Sequence, residues 1–487
     1  MIIMKLKNII KQLDIVCMTA DPEKDIFGIS YDSRKTKPGD IFVAVRGMTS
    51  DGHDFIPNAI EKGASVIVCE EACVSDAPYI MVKDCRIALA LISAAWFNYP
   101  SKKMHVIGIT GTSGKTTTTH LIRHIIQNVL HAKVGLIGTN GNYIGDEYTH
   151  TDYTTPDSFE LQSLFYQMYN SGCAYVVMEV SSHSLALERV AGVQFDIAAF
   201  TNLSQDHLDF HNTMEEYAKA KKKIFSMCTN ACINIDDPYA EYMMEGLKCP
   251  VITSSAFNKT ADLTADNIDL TKDGVSFSAC CNNIHADVKL GIPGMFSVHN
   301  ALTAISVCII AGIDIKACAE ALTSAKGVKG RVETVPTEGD YTVIIDYSHK
   351  PDALENVLKT LRPITKGKLI VLFGCGGDRD RDKRPIMGKV AARNSDLVIV
   401  TSDNPRTEKP EDIIKEIVAG MTSEKTEYHI ICNRIEAIHW ALNNADSGDV
   451  ILLAGKGHED YQVVGHEKYH MDEREIIAEY LKEKDRL

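Results

Sequence analysis

The stretch HVIGITGTSGKTTT, residues 105–118, constrains the chain more than any other. An apolar strand runs into a glycine-rich turn, and the turn opens a helix near Lys115. A strand that returns through a helix belongs to a parallel α/β sheet. The amides of such a turn, with the helix N-terminus behind them, carry partial positive charge and suit phosphate. Gly111 and Gly114 let the backbone approach phosphate oxygens. Lys115 is the cation for the β- and γ-phosphates, and the Thr116 hydroxyl is a ligand for Mg²⁺. The spacing departs from the general loop, because Ile109 stands where its first glycine would be. A plain strand-to-helix turn with an exposed lysine is the competing reading, but the agreement of strand, glycines, lysine and threonines favours a nucleotide loop.

The rest of the chain is organised around similar units. Its 487 residues are too many for one core, so two to four domains are expected. The first block, to about residue 100, alternates short strands with helices (DIFVAV, ASVIVCEE, ALALISAAWFNY) and ends in the polar linker NYPSKKMH. The second, 101–331, holds the loop, further strands ending YVVMEV, DIAAFTNL and ACINIDD, and the apolar helix SVHNALTAISVCIIAG. The third, 332–487, shows TVIIDYS, KLIVLFGCGG, DLVIVTSDNP and DVILLAG separated by helical patterns. The expected fold is α/β in three domains, with a P-loop-type centre and a Rossmann-like C-terminal sheet binding ligands beyond its strand ends.

Bulk properties exclude several partners. A formal net charge of −14 argues against general affinity for nucleic acid or anionic membrane. No apolar run approaches the roughly 18 residues of a membrane span. The start places Leu6, Ile9, Ile10 and Leu13 on one helical face and reads as a first helix, not a signal peptide. The 14 cysteines show no Cys-x-x-Cys pair and read as reduced, largely buried thiols. A cytoplasmic monomer is the expectation.

Polar residues gather where strands end. MEVSSHS puts Glu179 at a strand end, where a carboxylate suits a second Mg²⁺ contact. NLSQDHLDFH carries Asp206, His207, Asp209 and His211, a set for metal or phosphate work, though such loops also serve as caps. MEEYAKAKKKIF reads, on residue types alone, as a basic helix surface. In the third block, DYSHKPDAL supplies Asp346 and His349, and GCGGDRDRDKRP supplies Arg379, Arg381, Lys383 and Arg384 beside a glycine turn. TSDNPRTEKPEDI presents Asp403, Asn404, Pro405 and Arg406, and AGKGHEDYQ adds Gly455, Lys456, His458 and Glu459. Arginine pairs bidentately with carboxylate or phosphate, so Arg406 beside Asp403 and Asn404 suits a zwitterion. From the residues alone, the chain is an ATP-using enzyme with a separate site for an anionic or zwitterionic partner.

The motifs GTSGKTT, EVSSHS, TNLSQDHLDFH, YAKAK, HN, GR, DYSHKPDAL, FGCGGDRDRDKRP, DNPR and GKGHEDYQ stand in the order found in the Mur ligases of peptidoglycan synthesis, which the whole chain resembles. YDSRKTKPGDIFVAVRG, 31–47, resembles the amino-terminal uridine-nucleotide domain of the third ligase in that pathway. In that family the short loop is the normal form. The resemblance implies ATP-driven phosphorylation of the D-glutamyl γ-carboxylate of UDP-N-acetylmuramoyl-L-alanyl-D-glutamate. An amine then attacks the acyl phosphate through a tetrahedral intermediate. Carried over by position, Gly111, Thr112, Ser113, Gly114, Lys115, Thr116 and Thr117 hold the ATP phosphates. Glu179 and His207 are metal-site residues. Lys221 matches a lysine that is carbamylated in the family, and its carbamate would join Thr116, Glu179 and His207 around Mg²⁺. Asn300, Arg331, Asp346 and His349 surround the adenosine and phosphates. Ser30 is a uridine-nucleotide contact, and Thr154, Thr155, Ser181 and Arg189 contact the muramoyl dipeptide.

Tyr153 and Leu187 stand where some relatives carry Asn and Gln, and neither side chain makes an amide contact. The turn DNPR is associated in the family with meso-diaminopimelate, whose distal carboxylate Arg406 would meet, with Arg379, Gly455 and Glu459 completing the pocket. L-lysine has no such carboxylate. A folylpolyglutamate synthetase relative and a non-catalytic nucleotide-binding protein are the alternatives. The first lacks a domain like that suggested by 31–47, and the second has no use for an amino-acid pocket.

Overall fold

The computed structural model describes residues 3–48, 50–72, 77–151, 153–271, 273–337 and 339–484. Three large sheets follow one another along the chain. The first has the strand order Ile15–Met18, Tyr79–Val82, Val66–Cys69, Asp40–Val43, Gly28–Ser30, parallel except at the Ile15–Met18 edge. The expected first helix is only Leu6–Ile9. The segment that follows gives up the helix because Ile15–Met18 pairs antiparallel with Tyr79–Val82. Leu6, Ile9 and Ile10 are nonetheless buried in this core, and Leu13 packs against it.

The second sheet has eleven strands. Its parallel centre runs Val134–Gly138, Tyr175–Glu179, His105–Thr110, Phe195–Phe200, Cys228–Asn234, Val251–Ser255. One edge is the hairpin Gly141–Ile144 with Glu147–Thr149, and the other is an antiparallel meander, Leu263–Thr271, Gly274–Cys281 and Ile284–Leu290. Helices Lys115–Leu130 and Met295–Ile310 pack together over one face, in the largest buried apolar cluster. The meander departs from the alternating pattern. Its strands bury one face against that cluster and leave the other wet, as antiparallel edges do.

The third sheet has the order Glu333–Val335, Thr342–Asp346, Val450–Ala454, Leu369–Phe373, Leu397–Val400, Glu427–Ile430, antiparallel only at its Glu333–Val335 edge. Helices cover both faces of its central strands, which are buried along their whole length. The four polar turns that follow Asp346, Phe373, Val400 and Ala454 therefore come out along one edge, at the carboxyl ends of four adjacent strands.

One buried ion cluster fixes that edge. Arg384, fully buried, donates from Nη1 to Glu408 at 2.9 Å and Glu416 at 2.8 Å, and from Nη2 to Glu408 at 2.7 Å. It ties the turn after Phe373 to helix Pro410–Ala419. The arginine holds the Glu408 carboxyl down at about 2. Arg384→Met would leave Glu408 without its arginine and Glu416 with Arg381 alone, and breaking a buried pair costs about 3 kcal/mol. Denaturant unfolding of Arg384→Met against wild type should show a loss of that order, and an unchanged midpoint would refute the structural role.

Candidate active site

The loop is built from its neighbours outward. Ile109 is fully buried and pairs in register with Glu179 on the adjacent strand, so its position belongs to the sheet and the loop starts at Gly111. The Thr112 amide donates to the Asn202 carbonyl at 2.8 Å, and the Ser113 amide donates to Asn202 Oδ1 at 2.9 Å. The Ser113 carbonyl accepts from Thr201 Oγ1 at 2.7 Å and from Asn202 Nδ2 at 3.1 Å. Gly114 has φ +83°, and a Cβ there would strike Asn300 Oδ1. Glycine is thus required twice over, by backbone and by neighbour. Asn300 is buried on helix Met295–Ile310 and accepts from Thr118 Oγ1 at 3.3 Å. Thr116 and Thr117 lie buried in the first turn of helix Lys115–Leu130.

Two lysines converge on one carbonyl. Lys115 Nζ donates to the carbonyls of Gly111 and Thr112, each at 2.9 Å. Lys221 Nζ donates to the same Gly111 carbonyl at 2.6 Å and lies 4.5 Å from the centre of the Tyr217 ring. Lys221 is 1 % exposed, so the basic-helix reading fails at this residue. Burial, reinforced by the Lys115 charge, pushes the Lys221 amine well below its ordinary value. Lys115 is lowered for the same reason, against the pull of Glu179 and Asp206.

Acidic and histidine side chains face this pair. Glu179, buried, accepts at Oε1 from the Thr139 amide at 2.9 Å and at Oε2 from Thr139 Oγ1 at 3.1 Å. Thr139 Oγ1 lies 3.0 Å from Thr154 Oγ1, and Thr155 Oγ1 donates to the Glu179 carbonyl at 2.8 Å. The Ser181 amide donates to Thr155 Oγ1 at 3.1 Å, and Arg189 Nη1 donates to the Thr155 carbonyl at 3.2 Å. Glu179, Thr154, Thr155, Ser181 and Arg189 are therefore one connected group. Tyr153 is exposed, its ring 5.3 Å from the Arg189 guanidinium. His207, at φ +53°, has Nε2 3.3 Å from Asp206 Oδ2 and its ring 4.7 Å from that of His183. Burial, aided by the nearby Lys350 charge, lowers the His207 pKa and keeps the ring neutral. His211 Nε2 is 2.9 Å from Ser182 Oγ. The Asp209 side chain lies outside what is described.

The residues expected around adenosine come from the two sides of the crossing into the third sheet. Asp346 Oδ2 accepts from the Val332 amide at 2.8 Å, and Oδ1 accepts from the Ser348 amide at 2.8 Å and hydroxyl at 2.6 Å. The Arg331 guanidinium lies 5.2 Å from the Tyr347 ring centre, and its buried Nε has no protein partner. His349 Nδ1 lies 2.8 Å from the Tyr347 carbonyl, and burial pushes this histidine down to about 4. Ser30 stands apart in the first sheet, where its hydroxyl donates to the Asp32 carbonyl at 2.9 Å.

On the third sheet, the structure sorts the arginines. Arg384 and Arg381 are paired with Glu408 and Glu416, so neither is available for the anionic ligand expected of that turn. Lys383 Nζ donates to the His349 carbonyl at 3.1 Å. Arg379 is exposed, and among the described residues no carboxylate pairs with it. Arg406 is half-buried at φ +51°, and among the described residues its side chain donates only from Nη1, to the Gly377 carbonyl at 2.9 Å. Pro405, buried, packs against Gly377. Asn404 Nδ2 donates to Glu459 Oε2 at 3.0 Å, and its Oδ1 accepts from the fully buried Lys456 at 2.7 Å. Asp403 accepts its neighbour's amide at 2.6 Å, and Gly455, at φ +109°, leaves space beside Asp403 Oδ2 that a Cβ would fill. Burial raises the Glu459 carboxyl against the Lys456 charge.

The sequence reading gave no role to Thr139, Thr201, Asn202 or Tyr217. Thr201, Asn202 and Tyr217 lie inside the quoted motifs TNLSQDHLDFH and YAKAK, which was the available signal.

Comparison with known proteins decides the family. The Mur ligase family catalytic domain matches residues 25–111, the middle domain 109–308, and the glutamate ligase domain 330–457. The chain is 46 % identical over 484 residues to UDP-N-acetylmuramoyl-L-alanyl-D-glutamate–2,6-diaminopimelate ligase 1 of Clostridium acetobutylicum, covering 99 % of this chain and 100 % of that one. This chain belongs to the Mur ligase family. A Clostridium botulinum relative, UDP-N-acetylmuramoyl-L-alanyl-D-glutamate–2,6-diaminopimelate ligase, is 46 % identical with the same coverage of both chains. A solved structure of a 2,6-diaminopimelate ligase of this kind is 31 % identical, with TM-score 0.73 over 99 % of this chain and 100 % of that one.

Among the described residues of this Mur ligase, no group of three or more His, Cys, Asp or Glu side chains forms a metal cage. Glu179, His207 and the Thr116 hydroxyl nevertheless fit Mg²⁺, which takes few protein ligands and completes its shell with water and phosphate oxygens.

The loop geometry predicts the effect of Gly114→Ala. A left-handed alanine costs about 1–2 kcal/mol before the clash with Asn300 is added. ATP affinity by titration calorimetry should fall more than about tenfold with the circular dichroism unchanged. Wild-type affinity would contradict the loop assignment.

Proposed function

We propose that this Mur ligase joins meso-2,6-diaminopimelate to the D-glutamyl γ-carboxylate of UDP-N-acetylmuramoyl-L-alanyl-D-glutamate, consuming ATP, in peptidoglycan precursor synthesis. A carboxylate resists attack by an amine until one of its oxygens is converted to phosphate, a good leaving group. Gly111 to Thr117 cradle the nucleotide phosphates with their amides, and Lys115 exchanges its loop carbonyls for phosphoryl oxygens as charge builds. Asn300, Arg331, Asp346 and His349 hold the adenosine. Thr154, Thr155, Ser181 and Arg189 hold the muramoyl dipeptide, and Ser30 contributes to the uridine end. The third-sheet pocket holds diaminopimelate so that its amine meets the acyl phosphate, and phosphate leaves the tetrahedral intermediate.

Lys221 has a separate task. A buried amine with depressed basicity gives up its proton more readily, and the free amine adds to CO₂ with release of a second proton to give a carbamate anion. That anion would relieve the crowding of two cations at Gly111 and join Glu179, His207 and Thr116 in holding Mg²⁺. Held there, the metal would supply positive charge that stabilises the phosphoryl group. Electron density beyond Lys221 Nζ in a crystal grown with bicarbonate is the expected result, and a bare ammonium in that crystal would refute it.

One observation carries the choice of amino acid: among the described residues Arg406 and Arg379 have no carboxylate partner, whereas Arg381 pairs with Glu416 and Arg384 with both Glu408 and Glu416. The distal carboxylate of diaminopimelate supplies what they lack, and L-lysine supplies nothing. Leaving the half-buried Arg406 without a carboxylate disfavours L-lysine, which lacks that group. Purified enzyme with ATP, Mg²⁺ and the UDP-dipeptide should release phosphate with meso-diaminopimelate and hardly at all with L-lysine. Equal rates would overturn the assignment. Arg406→Ala should raise the KM for diaminopimelate at least about tenfold while the KM for ATP stays near wild type.

A further inference from the structure

Lys350 is the one residue of DYSHKPDAL whose side chain reaches out of the third sheet's turn to the nucleotide unit by an ion pair. Its Nζ donates to Asp206 Oδ1 at 2.6 Å, joining residues 144 apart in the chain. The pair is sheltered, with side-chain exposures of 33 % and 16 %. Both Asp206 oxygens are also turned to His207. Oδ1 accepts the His207 amide at 2.8 Å, and Oδ2 lies 3.3 Å from Nε2. The His207 ring is 6.3 Å from that of Tyr217, whose hydroxyl is 3.1 Å from Thr112 Oγ1 in the phosphate loop. On its own side, Lys350 directly precedes helix Pro351–Leu361 and follows His349, whose carbonyl is held by Lys383 at 3.1 Å. A continuous set of contacts thus runs from helix Lys383–Asn394, through Lys350 and Asp206, to the loop.

We propose that Lys350 is a positioning residue: its ion pair with Asp206 seats the amino-acid unit on the nucleotide unit and fixes the orientation of His207. The inference rests on the ligase reading above. In that reaction the amine is held by the third sheet and the acyl phosphate by the second. Their approach depends on how the two units sit, and a misplacement of about 1 Å costs on the order of a hundredfold in rate. Asp206, with both oxygens shared between Lys350 and His207, converts the seating of the units into the placement of a ring at the phosphate site. An exposed ion pair would contribute little of this, but a sheltered, multiply bonded carboxylate holds its partners in one geometry.

The test uses the full chain as Lys350→Met, Lys350→Arg, Asp206→Asn and the Lys350→Met/Asp206→Asn double variant. Lys350→Met should lower kcat at least about tenfold, with the KM for ATP changed less than about threefold. Its melting temperature should stay within about 2 °C of wild type, and Lys350→Arg should regain most of the rate. In the Asp206→Asn background, Lys350→Met should cost less than about twofold more, because the two act as a pair. Small-angle scattering of the unliganded Lys350→Met chain should show a larger radius of gyration than wild type. Wild-type kcat in Lys350→Met, losses that multiply in the double variant, or an unchanged radius of gyration would each overturn the proposal. An inactive wild type would instead refute the ligase reading, and the scattering comparison, which needs no turnover, would still test the ion pair.

Discussion

The carbonyl of Gly111 accepts hydrogen bonds from two lysine ammonium groups, and the rest of the site is arranged around that crowding. Like charges brought together away from water repel strongly, because the low local dielectric screens them little. The fold tolerates the arrangement by depressing the basicity of both amines and by setting Glu179 and Asp206 near enough to be felt. Such a centre is completed by anions. In the proposed reaction phosphate oxygens would satisfy Lys115, and a Lys221 carbamate would remove the conflict. The same crowding explains why the loop needs so many braces. Thr201, Asn202, Tyr217 and Asn300 all hold backbone or side chains of residues 111–118 in place before any ligand arrives.

Sheet topology decides which groups can meet at that centre. In the second sheet, the strands ending at Thr110, Glu179 and Phe200 are neighbours, so the loop, the Glu179 carboxylate and the segment 201–211 emerge side by side. In the third sheet, four adjacent strands deliver their turns to one edge. Each sheet therefore assembles half of a two-substrate reaction by register alone. The two edges are connected by side-chain contacts, Lys350 with Asp206 among them.

Much of this was legible in the sequence because α/β strands announce themselves as short apolar runs, and the residues after them are polar for a reason. The loop, Glu179, the DNPR turn and the parallel strands could be read that way. The meander at Leu263–Leu290 could not, since half-buried antiparallel strands leave a weaker apolar signal than buried parallel ones. The basic helix misled for a different reason. Lys221 is one of four lysines between 219 and 223, and only tertiary packing shows that it points inward while Lys222 and Lys223 reach Glu245 and Glu188. Arg384 was misread likewise: its partners Glu408 and Glu416 lie 24 and 32 residues away, a separation at which no local pattern reveals a pair.

That misreading sharpens the argument about specificity. Counting arginines in GCGGDRDRDKRP gives an anion site with three guanidinium groups, enough for almost any phosphate or carboxylate. Burying Arg384 between two glutamates, and pairing Arg381 with one of them, removes two of the three from the surface electrostatics. What remains is Arg379 at the rim and Arg406, held at one nitrogen by the Gly377 carbonyl with its other donors uncommitted. The paired arginines tie the turn to the scaffold, and on the proposed reading Arg406 meets the ligand. A pocket that spends most of its positive charge on its own scaffold gains selectivity for a single, correctly placed carboxylate over anions in general.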